Sequence, residues 1–191
     1  MRSAWTWAIR ETRADELRLF AYHFIYGGLG QPQESLELYS MTVKRLDETN
    51  PAHHAALGTA LIHQGHNQTQ LGHYQEARHS IERGLDLLYT ADDIQGILVG
   101  LGLLSFNAWV MGDYEQSKEI CDKGLSLARQ HGSVFFRGEF LASLAVVIKE
   151  LDDFPNKERF YEEGLVEVRL LGNFLSLPIF LHYYAFFLLH N

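Results

Sequence analysis

Met111-Gly112-Asp113-Tyr114-Glu115-Gln116-Ser117 reads as the turn between two antiparallel helices. Gly112 ends the first helix at low steric cost because it has no Cβ. Asp113 is a good N-cap for the second, and Tyr114 is placed to lie across the pair as an aromatic wedge. The pattern recurs at Leu71-Gly72-His73-Tyr74 and at Leu151-Asp152-Asp153-Phe154, a step of 40 residues (112 − 72 and 152 − 112). Downstream, Gly84-Leu85, Gly124-Leu125 and Gly164-Leu165 keep that step. A fixed period of roughly 20–50 residues marks a repeat array.

Helices are expected at Ser3–Arg10, about 14–26, and Pro32 to about 47. Further helices are expected from Asn50-Pro51 to about 71, and from His73 to about 89. Thr90 is expected to cap a helix over 91–111, followed by helices at 113–130, 133–151, 153–171 and about 174–190. Short turns force consecutive helices to be antiparallel neighbours, and each pair has too little apolar surface to bury alone, so the pairs stack. A mid-helix glycine costs about 1 kcal/mol relative to alanine. Its recurrence at 84, 124 and 164 implies close approach of a neighbouring helix.

The expected architecture is all-α, with tandem antiparallel helix pairs stacked into a right-handed superhelix as one domain over 1–191. The repeats fall at about 13–50, 51–90, 91–131 and 132–172, with a partial one at 173–191. The chain has 191 residues, 47% hydrophobic and 21% charged, which suits a globular core. The net charge of −8 argues against nucleic-acid binding, which needs a basic face. The N-terminus lacks a long apolar run of the secretory type, and Phe174 to Leu189 is short for a membrane span and broken by Pro178 and His182. A single cysteine, Cys121, excludes an intramolecular disulfide and suits a cytoplasmic location.

The repeat resembles the tetratricopeptide family. There a small residue of the first helix packs on a small residue of the second, with Gly-x-Tyr between them. Gly72-His73-Tyr74 and Gly112-Asp113-Tyr114 fit, and Asp152-Asp153-Phe154 fits in part. The small position of the second helix holds Ala77, Ser117 and, in the last copy, Lys157. The period exceeds the usual repeat of about 34 residues, as in the superhelical sensor regions of bacterial signal-transduction ATPases and large transcription regulators. Ser3-Ala4-Trp5-Thr6-Trp7-Ala8-Ile9-Arg10 also looks like the segment that follows the nucleotide-binding and winged-helix modules of such regulators.

No phosphate loop and no Gly-x-Ser-x-Gly elbow occurs. Gly27-Gly28-Leu29-Gly30 reads as a helix stop, and Gly100-Leu101-Gly102 lies inside a helix. His63, His66, His73 and His79 invite a Zn²⁺ reading, but no carboxylate or cysteine stands at a recognised spacing, so structural or surface roles are expected. Cys121 takes a repeat position shared with Ile81 and Tyr161 and reads as core. Neither a catalytic residue, a metal nor a cofactor is expected.

The resemblance implies that the first helix of each pair lines a concave groove. With Leu19, Leu61, Leu101, Leu141 and Leu181 in register, the lining adds Phe20, Ile62, Gly102, Ala142 and His182, then Phe24, His66, Phe106, Val146 and Phe186, then Gly27, Thr69, Trp109, Lys149 and Leu189. The binding residues expected are Phe24, His66, Phe106, Trp109, Val146 and Lys149, for a protein segment or a small effector, in a non-catalytic module of a larger regulatory protein. A structural spacer or self-association module is the alternative. The last helix is apolar almost all round, and the next Gly-x-Tyr would fall just past Asn191. A fragment of a longer array is therefore expected, with a homodimer through Phe180, Tyr184 and Phe187.

Overall fold

The computed structural model describes residues 2–19, 32–151, 157–172 and 176–190. They are all-α, and no strand occurs among them. Nine helices are numbered here: α1 Arg2–Arg10, α2 Pro32–Arg45, α3 His54–Gln70, α4 Tyr74–Thr90, α5 Ile94–Val110, α6 Tyr114–Gln130, α7 Val134–Glu150, α8 Lys157–Leu171 and α9 Ser176–His190. Residues 14–19 are also helical, and Pro51–His53 form one 3₁₀ turn ahead of α3. The chain divides into two compact units, Met1–Asn107 and Ala108–Asn191. Within each, consecutive helices pack on one another, as a helical repeat requires.

The turns repeat more often than the glycines alone suggest. Thr12, Gly72, Asp92, Gly112, Gly132 and Gly172 all take positive φ, so left-handed helix ends recur at multiples of 20 residues (92 − 72, 112 − 92 and 132 − 112). At five of these turns the next residue's amide closes the helix end: Arg13 N–H donates to the Ala8 carbonyl, His73 to Gln68, Asp93 to Leu88, Asp113 to Ala108 and Ser133 to Ala128. The Asp113 carboxylate accepts from the Gln116 amide at 3.2 Å, the expected cap. Asn50 caps the 3₁₀ turn by accepting from Ala52.

One boundary expectation is corrected. Thr90 does not cap a helix; it is the last residue of α4, and its hydroxyl donates back to the Asp86 carbonyl. Asp92 takes the left-handed turn and Asp93 is the cap, accepting from Gly96 N–H at 3.2 Å. Tyr114, expected as the wedge, is half-buried, and Tyr74 one period earlier opens α4 on the exposed side.

Gly84, Gly124 and Gly164 have the packing reason inferred from their recurrence. A Cβ on Gly84 would meet the Gly58 carbonyl at 2.8 Å and the Ile62 amide nitrogen at 3.0 Å. A Cβ on Gly124 would overlap the ring of Phe140, and one on Gly164 would lie 2.5 Å from Phe180 Cζ. Phe140 and Phe180 are themselves one period apart (180 − 140 = 40) and fully enclosed. The small-on-small contact is seen at Gly65, where a Cβ would lie 2.7 Å from the Ala77 carbonyl and 2.5 Å from Ile81 Cγ1. At the equivalent place in the second unit, Tyr161 replaces Ile81, and its hydroxyl donates to the Ala145 carbonyl at 3.0 Å. Burial pushes that phenol up to about 12.

The N-terminal segment is anchored by Trp5, whose indole N–H donates to Thr42 Oγ1 at 3.0 Å while its ring meets Tyr39 edge-on at 5.1 Å. Tyr39 in turn meets His63 at 5.6 Å. Trp5, Tyr39 and His63 are all buried. The Arg18 guanidinium pairs with Asp93 at 2.7 Å, holding residues 14–19 to the start of α5. In the second unit Glu167 on α8 accepts from Arg129 on α6 at 2.5 Å and from Arg137 on α7 at 2.7 Å. Burial raises the Glu167 pKa, but the two guanidiniums outweigh it and hold the carboxyl below its ordinary range.

Candidate functional site

The two helix types differ in composition, and that difference places the candidate surface. The second helices, α4, α6 and α8, carry a charged face and an apolar face. Their buried positions recur one period apart: Ala77, Ile81, Gly84 and Leu88 in α4, then Ser117, Cys121, Gly124 and Ala128 in α6. Cys121 is core, as expected. Of the first helices, α5 and α9 are apolar on nearly every side. α5 has no Asp, Glu, Lys or Arg over Ile94–Val110, and α9 has none over Ser176–His190. Apolar side chains must therefore remain on their open side.

In the first unit that open side carries Phe106, 39% exposed, beside the ring of His66 with centroids 6.0 Å apart. Burial lowers the His66 pKa, so the imidazole is neutral at pH 7. Its Nε2 lies 2.9 Å from the Gln70 side-chain nitrogen, which can only donate. Nε2 then accepts and the proton sits on Nδ1, which has no hydrogen-bond partner among the described residues. Phe106 is held in place by its neighbour. Buried Asn107 donates to Thr69 Oγ1 at 3.0 Å and to the Tyr74 carbonyl at 3.2 Å, tying α5 to the α3–α4 turn.

In the second unit Trp109, Val146 and Lys149 are half-buried. Lys149 Nζ stands 4.9 Å over the centroid of Phe186, which is 37% exposed and stacked on His190 at 4.0 Å. The Lys149 ammonium also donates to Glu150 at 2.9 Å, and that hydrogen bond raises its pKa. Each unit thus presents an aromatic ring with a polar or cationic side chain against it, a combination that binding surfaces favour.

Of the expected binding residues, His66, Phe106, Trp109, Val146 and Lys149 keep part of their surface open, while Phe24 lies outside the described residues, as do Phe20 and Gly27. Much of the rest of the expected lining is corrected. Leu61, Ile62, Leu101, Leu141 and Ala142 are core, and Thr69 is buried beneath Asn107. The physical reason is visible at Ile62, which packs on Gly84 of the second helix. Asn107 was missed: a lone amide in an apolar helix carries no spacing signal.

The expected self-association residues are largely occupied within their own unit. Phe180 is fully buried, and Tyr161 stacks with Tyr184 at 5.6 Å and Phe187 at 5.2 Å. The exposed large apolar residues of α9 are Ile179, Leu181, Phe186, Leu188 and Leu189. Among the described residues, no three His, Cys, Asp or Glu side chains converge as a metal site would require, and no helix is long and apolar enough to cross a membrane.

No protein-family model matches the chain, and no curated protein matches it.

Proposed function

We propose that this chain is a non-catalytic interaction and sensing module that holds a partner's polypeptide segment, or a small effector, against the open faces of its first helices. The carrying observation is Phe106, a large ring left 39% exposed on a helix with no charged residue. It is buttressed by a neutral histidine and locked by the Asn107 hydrogen bonds. A solvent-only face gains nothing from such a residue, whereas exposed aromatics on rigid elements are effective anchors. The larger protein we place it in is a signalling or transcription regulator of the tetratricopeptide-like kind. Support for that context is the 40-residue Gly-x-Tyr register and the Ser3–Arg10 segment. The module acts in the cytoplasm and touches neither nucleic acid nor membrane directly.

The test selects ligands for the chain from a phage-displayed library of random peptides. Selection is expected to converge on an apolar, aromatic-containing sequence. Its binding should fall at least about tenfold in Phe106→Ala and in His66→Ala, a loss of roughly 1.4 kcal/mol or more. Tyr89→Ala, on the exposed side of α4, should leave binding unchanged. Failure to converge, or equal binding to all three variants, overturns the proposal. A structural spacer or self-association module is the second reading, favoured by the exposed Leu188 and Leu189 of α9.

A further inference from the structure

Pro178, Leu181, His182, Ala185 and Leu188 form one stripe of α9, spaced by three, one, three and three residues, and all five are exposed. One period earlier (178 − 138 = 40) the same positions are Gly138, Leu141, Ala142, Ala145 and Ile148, and all five are buried. Three periods earlier (178 − 58 = 120), Gly58, Leu61, Ile62 and Gly65 are buried as well. The covering element in those copies is a second helix. Gly58 approaches the Gly84 carbonyl and Leu88, Ile62 packs on Gly84, and Gly65 meets Ala77 and Ile81. In the second unit the Ala145 carbonyl receives the Tyr161 hydroxyl.

We propose that this stripe of α9 is the receiving face for an amphipathic helix presented by a polypeptide segment outside residues 1–191, packed antiparallel to α9. The chemistry of the occupant is set by the helices that already fill this place. Opposite Ala185 it carries a small residue, as at Ala77. An aliphatic or aromatic residue follows four positions on, glycine or alanine three further, and an aliphatic residue four after that, as at Ile81, Gly84 and Leu88. Its other face is charged. A second copy of this chain is a poorer fit: its α4 and α8 are already seated on α3 and α7, and its α9 lacks the charged outer face. Ala185 matches Ala145, and Leu181 and Leu188 match Leu141 and Ile148, so α9 keeps three of the five positions that α7 offers to α8, with Pro178 and His182 in place of Gly138 and Ala142.

The probe is therefore a fluorescein-labelled peptide of residues 74–90, whose Ala77, Ile81, Gly84 and Leu88 supply that pattern, kept helical by a side-chain lactam between position 78, as Arg78→Lys, and Glu82. Titrated with the whole chain, its anisotropy is expected to saturate. Leu181→Asp and Leu188→Asp should each weaken binding at least about tenfold. Leu189→Asp should change it less than about twofold, because Leu189 corresponds to Lys149, off the seam. Both tested leucines are exposed, so the variants should keep the wild-type circular dichroism and melting temperature. No saturation up to about 1 mM, or equal loss in Leu189→Asp, overturns the proposal. So does a wild-type dimer in sedimentation equilibrium that Leu188→Asp dissociates, which gives the seam to a second copy.

Discussion

Gly124→Ala separates packing from propensity. Alanine in a helix interior gains about 1 kcal/mol over glycine from backbone entropy alone. At Gly102 a new Cβ meets nothing within 4 Å, so Gly102→Ala should realise that gain. At Gly124 the new Cβ would come within 3.0 Å of three ring carbons of Phe140. Phe140 is 2% exposed and sits deep in the second unit, so its ring has little room to retreat. Overpacking of this kind costs about 1–3 kcal/mol, which cancels or reverses the propensity gain. The two identical substitutions should therefore differ by about 1–3 kcal/mol. Urea unfolding followed by circular dichroism measures both. Phe140→Leu shortens the opposing side chain and should cost less when combined with Gly124→Ala than in the wild type, because neighbouring residues that share a contact couple. If Gly124→Ala stabilises as much as Gly102→Ala, the recurrent glycine has no packing role and the helix-approach reasoning is wrong.

Burial pushes His63 down to about 3 from an ordinary 6.5. Above that ordinary value both states are neutral and nothing changes. Below it the unfolded chain takes a proton that the folded chain refuses, so stability falls by about 1.4 kcal/mol per pH unit, about 2 kcal/mol near pH 5. His63→Leu should remove this slope from urea midpoints measured across that range; an unchanged slope would show that the site accepts the proton. Glu167 acts in a lower window: its carboxyl is held below its ordinary value of 4.5, so its contribution is present above that pH and lost as pH falls through the folded value. Asn107→Ala should cost about 1–3 kcal/mol in the same assay, since it leaves Thr69 and the Tyr74 carbonyl without their donor; a loss under about 0.5 kcal/mol would contradict this. Thr12 is a β-branched residue at φ 52°, so Thr12→Gly should stabilise by about 1 kcal/mol, read as a rise in Tm; a fall would show that its side chain is needed.

What the sequence revealed follows the amphipathic helices. Ala77, Ser117, Gly84 and Gly124 lie on helices whose opposite faces are charged, so their inward direction was legible. Gly72 and Gly112 were legible because glycine marks a left-handed helix end. Asp92 performs the same turn with a residue that also reads as an N-cap, so α5 was started three residues early and the 20-residue spacing of the turns was hidden. The first helices gave no such guide. α5 has no charged residue to mark a solvent face, and Leu61, Leu101 and Leu141 were assigned to the lining although they are core. Periodicity identifies a face only where one side is polar. The locking of Phe106 by Asn107 depends on a hydrogen bond to Thr69, 38 residues earlier in the chain, which no local pattern encodes.

Whether Phe106 serves binding or folding is decided by two readouts on one variant. A peptide selected on the wild-type chain is titrated calorimetrically into Phe106→Ala, and Tm is recorded for both proteins. A binding anchor loses at least about tenfold in affinity while Tm stays within about 2 °C. A core residue shows the reverse, with affinity retained and Tm lower by about 6 °C or more, the signature of several kcal/mol lost from packing.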